Sequence, residues 1–233
     1  MPTFIQESYI TKVQSYLDFQ DPTGDITISL VISALTTAVD WYSKDRPLQS
    51  IHVITGDGTN RYVLPSTWDS NFSRIVYVEF PAGANATQDP SLLQPEEVAI
   101  WEDNVGERFH FRFRDLTTSD TAWIKYTRKH ILTSTTNTIP DTDREAVCFL
   151  AAAVAALEAS GRLIKHRTES GIGGIPDLRT TSDVYKSYAQ EMLKNYYRRM
   201  GIDPNKGQAP VLELFDVDVT SSWGFDWLTH QGR

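Results

Sequence analysis

Five histidines, one cysteine and one strand of alternating arginines are the side chains whose types and spacing could do chemistry in this chain. His52, His110, His130, His166 and His230 are scattered without metal-ligand spacing, and Cys148 has no second cysteine with which to complete a zinc site. Cys148 lies in an unbroken apolar run, where a thiol reads as a small buried hydrophobe rather than a nucleophile. With no intramolecular disulfide possible, a reducing compartment is expected. The glycines of SGIGG at 170–174 lack the following Lys-Ser/Thr of a P-loop and do not follow a strand, so they read as a connector. Asp216, Asp218 and Asp226 do not keep the spacing of an EF-hand loop and read as solvated acids. GDGTN at 56–60 reads as the turn of a hairpin joining SIHVI to RYVLP, with Gly56 and Gly58 supplying positive φ. There is no G-x-S-x-G and no carboxylate pair in a glycosidase-like context. The sequence therefore calls for no catalytic residue, no metal ligand and no cofactor, and the chain is not expected to be an enzyme.

One chemical pattern survives. In RFHFRFR, Phe109, Phe111 and Phe113 alternate with Arg108, His110, Arg112 and Arg114, giving a strand with one oily and one basic face. The basic face is a candidate partner-facing surface, and its plainer reading is the solvated side of an amphipathic strand.

The element most able to organise the rest is the stretch 142–163, TDREAVCFLAAAVAALEASGRL. Thr142 and Glu145 have the spacing of a capping box, and Gly161 is placed to end the helix, with Arg162, Lys165 and His166 just beyond it. All twelve residues of 146–157 are apolar, so the helix must be covered on every side. Twelve fall short of the roughly 18 to 20 that a bilayer span needs, so the cover is protein. Six of them are alanines, which let neighbouring helices approach closely. Val147, Leu150, Ala151, Ala152, Val154 and Ala155 are the candidate packing residues, within the bundle or between subunits.

Around it the chain reads in order. Residues 4–19 place Phe4, Tyr9, Val13, Tyr16 and Leu17 near helical spacing before the DPTGD turn. A second helix starts with Asp25 as cap, carries the stripe Ile28, Val31, Leu35, Ala38 and Tyr42 widened by Ile32, Val39 and Trp41, and ends at Pro47. From 48 to 132, short β-branched and aromatic runs separated by Gly, Pro, Asp and Asn read as antiparallel strands. After the polar linker LTSTTNTIPD and the apolar helix, a further helix runs from a Ser182 cap through Val184, Tyr188, Met192 and Tyr196 to a stop at Gly201. Beyond it, 208–233 is an extended tail rich in aromatics, with Phe215, Trp223, Phe225 and Trp227. A tail of that kind is a docking arm, or else adds to its own β block as a strand through Val217 and Val219.

The expected fold class is α+β: a bundle of three to four helices with an inserted antiparallel β domain and an extended C-terminal tail. Residues 1–47 and 133–207 form the two parts of the bundle, 48–132 the insertion and 208–233 the tail. The N-terminal stretch has no basic run followed by an apolar one, so neither a secretory signal nor a membrane association is expected. A net charge of −8 argues against tight nucleic-acid binding.

This order of features resembles the head-to-tail connector, or adaptor, proteins of tailed bacteriophages. The resemblance is carried by DITISLVISALTTAVDWYSKD after LDFQDPTG, by PDTDREAVCFLAAAVAALEAS and by SDVYKSYAQEMLKNYYRR. The strands of VITGDGTNRYVLPSTWDSNFSRIVYVEFP, GERFHFRF and IKYTRKH also look like segments of larger neck proteins. It covers most of 25–200 and implies a structural virion protein of the neck, assembled in the host cytoplasm. In that family subunits form a homo-oligomeric ring, usually of twelve, between the portal protein and a downstream neck or tail protein. DNA passes through the ring without specific binding, and C-terminal segments dock on the portal, the role implied for Phe215, Trp223, Phe225 and Trp227. A soluble binding module or hydrolase with a ligand site on the β domain is the alternative.

Overall fold

The computed structural model describes residues 4–17, 26–83, 91–169 and 178–203. Over these residues the chain is α+β, with four α-helices and two three-stranded antiparallel sheets.

Helix α1, Gln6–Leu17, buries Tyr9, Val13 and Leu17 at four-residue spacing. Helix α2, Ile28–Asp45, is capped by Thr27, whose hydroxyl accepts from the Leu30 amide at 3.3 Å; the cap is thus Thr27 and not Asp25. Its buried face is Leu30, Val31, Ala34, Leu35, Ala38, Val39 and Tyr42, while Ile28 is 59% exposed and Ile32 and Trp41 also face outward. Of the expected stripe, Val31, Leu35, Ala38 and Tyr42 with the flanking Val39 are buried as read, joined by Leu30 and Ala34, and only Ile28, Ile32 and Trp41 fall outside the packed face.

Helix α3, Arg144–Glu169, follows a 3-10 turn at Asp141–Asp143. The turn absorbs Thr142, whose hydroxyl donates to Asp143 at 3.2 Å, and Glu145 pairs with Arg199 at 3.0 Å, so the capping box does not form. Nor does Gly161 end the helix, which continues to Glu169 through a glycine whose added Cβ would meet open space. Val147, Leu150, Ala151, Ala152, Val154 and Ala155 are buried, in a core shared with α1, α2 and α4, Leu178–Met200. The cover is this chain's own, apart from Leu157, which is 44% exposed.

Ser182 lies inside α4, where its hydroxyl sits 2.9 Å from that of Ser160 on α3, both buried; it is not the cap. The core face is Tyr185, Ala189, Met192 and Tyr196, leaving Val184 exposed. Gly201 does end α4: at φ +70 it lets Ile202 N–H donate to Tyr197 O at 3.0 Å, a Schellman closure. Ser8 and Tyr16 of α1 lie beside Arg144 and Phe149 of α3, the end of α2 meets the start of α3, and Ser160 faces Ser182. The bundle is therefore up-down-up-down.

Strands β1 (Leu48–Thr55), β6 (Thr121–Arg128) and β3 (Ile75–Glu79) form one sheet in that order, and β2 (Arg61–Val63), β5 (Gly106–Phe111) and β4 (Val98–Asp103) the other. The expected β1–β2 hairpin is absent, because the two strands belong to different sheets. Loop 56–60 is a corner: Gly56 is pressed so closely on the backbone of 116–117 that a Cβ would fall 2.0 Å from Thr117 O, and Gly58, at φ +86, donates to Leu116 O. The sheets enclose a second core of Ile54, Tyr62, Val78, Val98, Phe109, Phe111, Leu116, Ala122 and Ile124. Strand β5 ends at Phe111, so Phe113 leaves the alternation and is 73% exposed.

The linker between β6 and α3 is built into the bundle end. Its Leu132 and Asn137 bridge one another, Thr133 O accepts from Gln6 N–H at 3.3 Å, and the Asn137 amide donates to Phe4 O at 2.8 Å.

Candidate interaction surfaces

The expected basic row divides when the strand is folded. Arg108 and His110 stay on the outward face of the second sheet, where pairing sets Val63 and Trp101 opposite Arg108, and Arg61 opposite His110. Trp101 is 50% exposed, with the His110 ring 5.8 Å and the Arg61 guanidinium 6.0 Å from its ring, and Val63 is 69% exposed. Asp103 lies 3.4 Å from Arg108 and offsets part of its charge. Arg112 is exposed beyond the strand, and Arg114 turns back to Glu97 at 2.5 Å and lies over the Phe80 ring. The surface is thus Arg61, Val63, Trp101, Arg108 and His110, a mixed cationic and aromatic face suited to protein contact. Arg61 and Trp101 were missed because a single strand's alternation does not say which residues of other strands share its face.

A second feature joins the two cores. The Asp143 carboxylate accepts from Tyr42 Oη at 2.6 Å and Arg46 Nη1 at 2.5 Å. Burial alone would raise this carboxyl, but the two donors and the Arg46 charge outweigh it and hold it below the usual range. Beside it, His130 is buried, its N–H donates to Ser43 Oγ at 2.9 Å, and its ring nitrogens lie 3.0 Å from Thr138 O and Arg46 O. Burial pushes its imidazole pKa down, and the backbone carbonyls only partly offset this. These groups clamp the strand leaving α2 to the strand returning to α3. Their partners are all internal, so the cluster is a structural joint.

A third feature is a groove of about 550 Å³ on the outer side of α4, floored by Leu193, Tyr197 and Ile202 and edged by Lys194 and Arg198. Cys148 offers no chemistry here: burial pushes its thiol up to about 12, so it stays protonated. Among the described residues no three His, Cys, Asp or Glu side chains gather as a metal site, and no helix is long and apolar enough to cross a membrane. His166, His230 and the tail residues Phe215, Trp223, Phe225 and Trp227 lie outside the residues whose side chains are described.

No protein-family model matches the chain, and no curated protein matches it. Among solved structures, the chain is similar to one in the virion of a native gene transfer agent (GTA) particle, with TM-score 0.29 and 12% identity over 79% of this chain and 92% of that one. It is also similar to one in the neck of an empty GTA particle computed with C6 symmetry, with TM-score 0.28 and 12% identity over 79% and 93% of the two chains. Superposition at this level carries no argument about function.

Proposed function

We propose that the chain is a structural subunit of a phage-type virion neck, an adaptor that forms a ring between portal and tail and lets DNA pass during genome ejection. The observation that carries this reading is the arrangement of the segments that resemble connector proteins: they form α2, α3 and α4 of one bundle, with the β module inserted between α2 and α3. A bundle that closes its own core leaves its outer faces for neighbours. Ile28, Ile32 and Trp41 of α2, Leu157 of α3 and Val184 of α4 are apolar and exposed there. In a ring these faces would be buried between subunits, and the cationic and aromatic sheet face would meet the downstream neck or tail protein. Tail aromatics Phe215, Trp223, Phe225 and Trp227 would anchor on the portal, each contributing on the order of 2 kcal/mol when it fills a pocket. The net charge of −8 suits a channel wall that repels the DNA backbone. The role needs no catalytic residue, metal or cofactor.

The experiment is to titrate the full chain onto portal-bearing capsids and count bound copies per portal. Saturation at the copy number of a closed ring, twelve, is expected, with Trp223→Ala/Trp227→Ala failing to bind while melting normally. Unsaturable or single-copy binding would sink the reading.

A further inference from the structure

The edges of the two sheets are not protected alike. An edge strand offers unpaired N–H and C=O groups to any other strand, and folded proteins blunt it with charge, proline, a bulge, short length or a covering segment. Strand β3 is covered: Phe80 N–H donates to Ser91 O and Leu93 N–H to Val78 O, each at 2.8 Å, and its register against β6 shifts between Ile75 and Tyr77. Strand β2 is three residues long, and β4 ends on Glu102 and Asp103. Strand β1 has none of these devices. Its eight residues, LQSIHVIT, hold no proline and no acidic, lysine or arginine side chain. They pair with β6 in unbroken register, from Leu48 opposite Arg128 to Thr55 opposite Thr121. Among the described residues, the β1 backbone pairs with β6 alone.

The side chains along that edge are apolar where water favours polar ones. Ile51 and Val53 are 55% and 54% exposed, on the face that continues through Trp123, Lys125 and Tyr77. Gln49 and Thr55 flank them on the same face, also exposed. Laid antiparallel on itself about His52, the strand sets Ile51 opposite Val53 of the partner subunit and Gln49 opposite Thr55 of the partner subunit. Apolar then meets apolar, and polar meets polar. Sliding the pair by two residues would set one of the two apolar side chains against Gln49 or Thr55, so the register is selected. No like charges are opposed, because burial lowers the His52 pKa and leaves its ring neutral at pH 7.

We propose that β1 pairs antiparallel with β1 of a second copy of this chain, joining two three-stranded sheets into one continuous sheet in the order β3-β6-β1-β1-β6-β3. Helix α2 leads into β1 at its Leu48 end, so the two bundles stand at opposite ends of the paired strands. The pair is twofold and is not a neighbour contact of a cyclic ring, so the inference goes beyond the ring reading and describes the free chain.

Sedimentation velocity on the full chain over a concentration series tests it, with hydrogen exchange at the same concentrations. A monomer–dimer equilibrium is expected, in which the β1 amides gain protection as concentration rises. Val53→Lys and Ile51→Glu, both at exposed positions, should each weaken the dimer roughly tenfold or more while melting like the parent in dilute solution. Mixed in equal amounts, the two variants should recover the parental affinity, because the substituted positions then face opposite charge and the remaining Val53 and Ile51 face each other. Four outcomes overturn the proposal: a chain that stays monomeric across the series, a dimer indifferent to Val53→Lys, as for association through the exposed residues of α2, weakened variants that do not recover on mixing, or a closed ring in free solution, which would favour the ring reading and remove this one.

Discussion

Tyr42 and Asp143, separated by 101 positions in the chain, are joined by a 2.6 Å hydrogen bond in which the phenol donates to a nearly buried carboxylate. Arg46 reaches the same oxygen at 2.5 Å. The bond pins the last turn of α2, where the chain leaves for the β module, to the turn that begins α3, where it returns. Asp143→Ala is expected to cost about 2 kcal/mol, because it orphans the buried phenol while the half-exposed Arg46 recovers water. Tyr42→Phe, which removes one donor, should cost about 1 kcal/mol. Thermal melts check both, and an Asp143→Ala chain that melts like the parent would remove the clamp from the account.

Acid should destabilise the chain in two windows. The folded-state pKa values of His130 and His52 are both lowered by burial, so the unfolded chain binds more protons as pH falls below the ordinary histidine value of about 6.5. Stability is full above that value and declines from there toward the lowered folded value. Asp143 is also lowered, and its contribution is present above the ordinary carboxyl value of about 4 and is lost as pH falls through its folded value. Denaturant midpoints measured from pH 8 to pH 2 should fall first below the histidine value and again below the carboxyl value, and His130→Gln should flatten the first decline without removing the part due to His52. A flat profile in the parent chain would contradict this.

Gly161 is an exposed helical residue with open space where a Cβ would stand. Gly161→Ala is expected to stabilise by about 0.5 to 1 kcal/mol, since alanine gives up less backbone entropy. Were the helix to end there, as the glycine suggests in the sequence, the substitution would destabilise instead. The direction of the change in denaturation midpoint decides.

Ala152 and Ala155 are fully buried in the bundle core. Ala152→Leu or Ala155→Leu should each cost roughly 1 to 3 kcal/mol by overpacking. The loss should appear in the isolated chain, because the seam is closed by α1, α2 and α4. Unchanged melting of both variants would show that the seam is loose.

Much of the fold is legible in the sequence because helical periodicity and β alternation are local signals. They located the four described helices and the strands that became β1, β2, β3, β5 and β6, along with the stop at Gly201 and the break at Pro47. What failed depended on neighbours. The α2 face was readable through Val31, Leu35, Ala38 and Tyr42, but its edge was not, because Ile28 and Ile32 competed with Leu30 and Ala34 and only packing decides which flank is covered. Ser182 looks like a cap until α3 supplies Ser160 as its partner, and Gly56 looks like a hairpin residue until the backbone of 116–117 presses on it. Of the interaction surface, Arg108 and His110 were readable from alternation, whereas Arg61 and Trp101 join them only through strand pairing. The α4 groove needed the Gly201 closure that sets Ile202 against Tyr197.

The central claim is assembly into a ring on the portal, and direct imaging of the full chain bound to portal by electron cryo-microscopy tests it. The account predicts a closed ring of subunits around an open channel, with bundle faces bearing Ile28, Ile32, Leu157 and Val184 buried between neighbours. Isolated monomers, or copies bound to portal without contact between them, would contradict it.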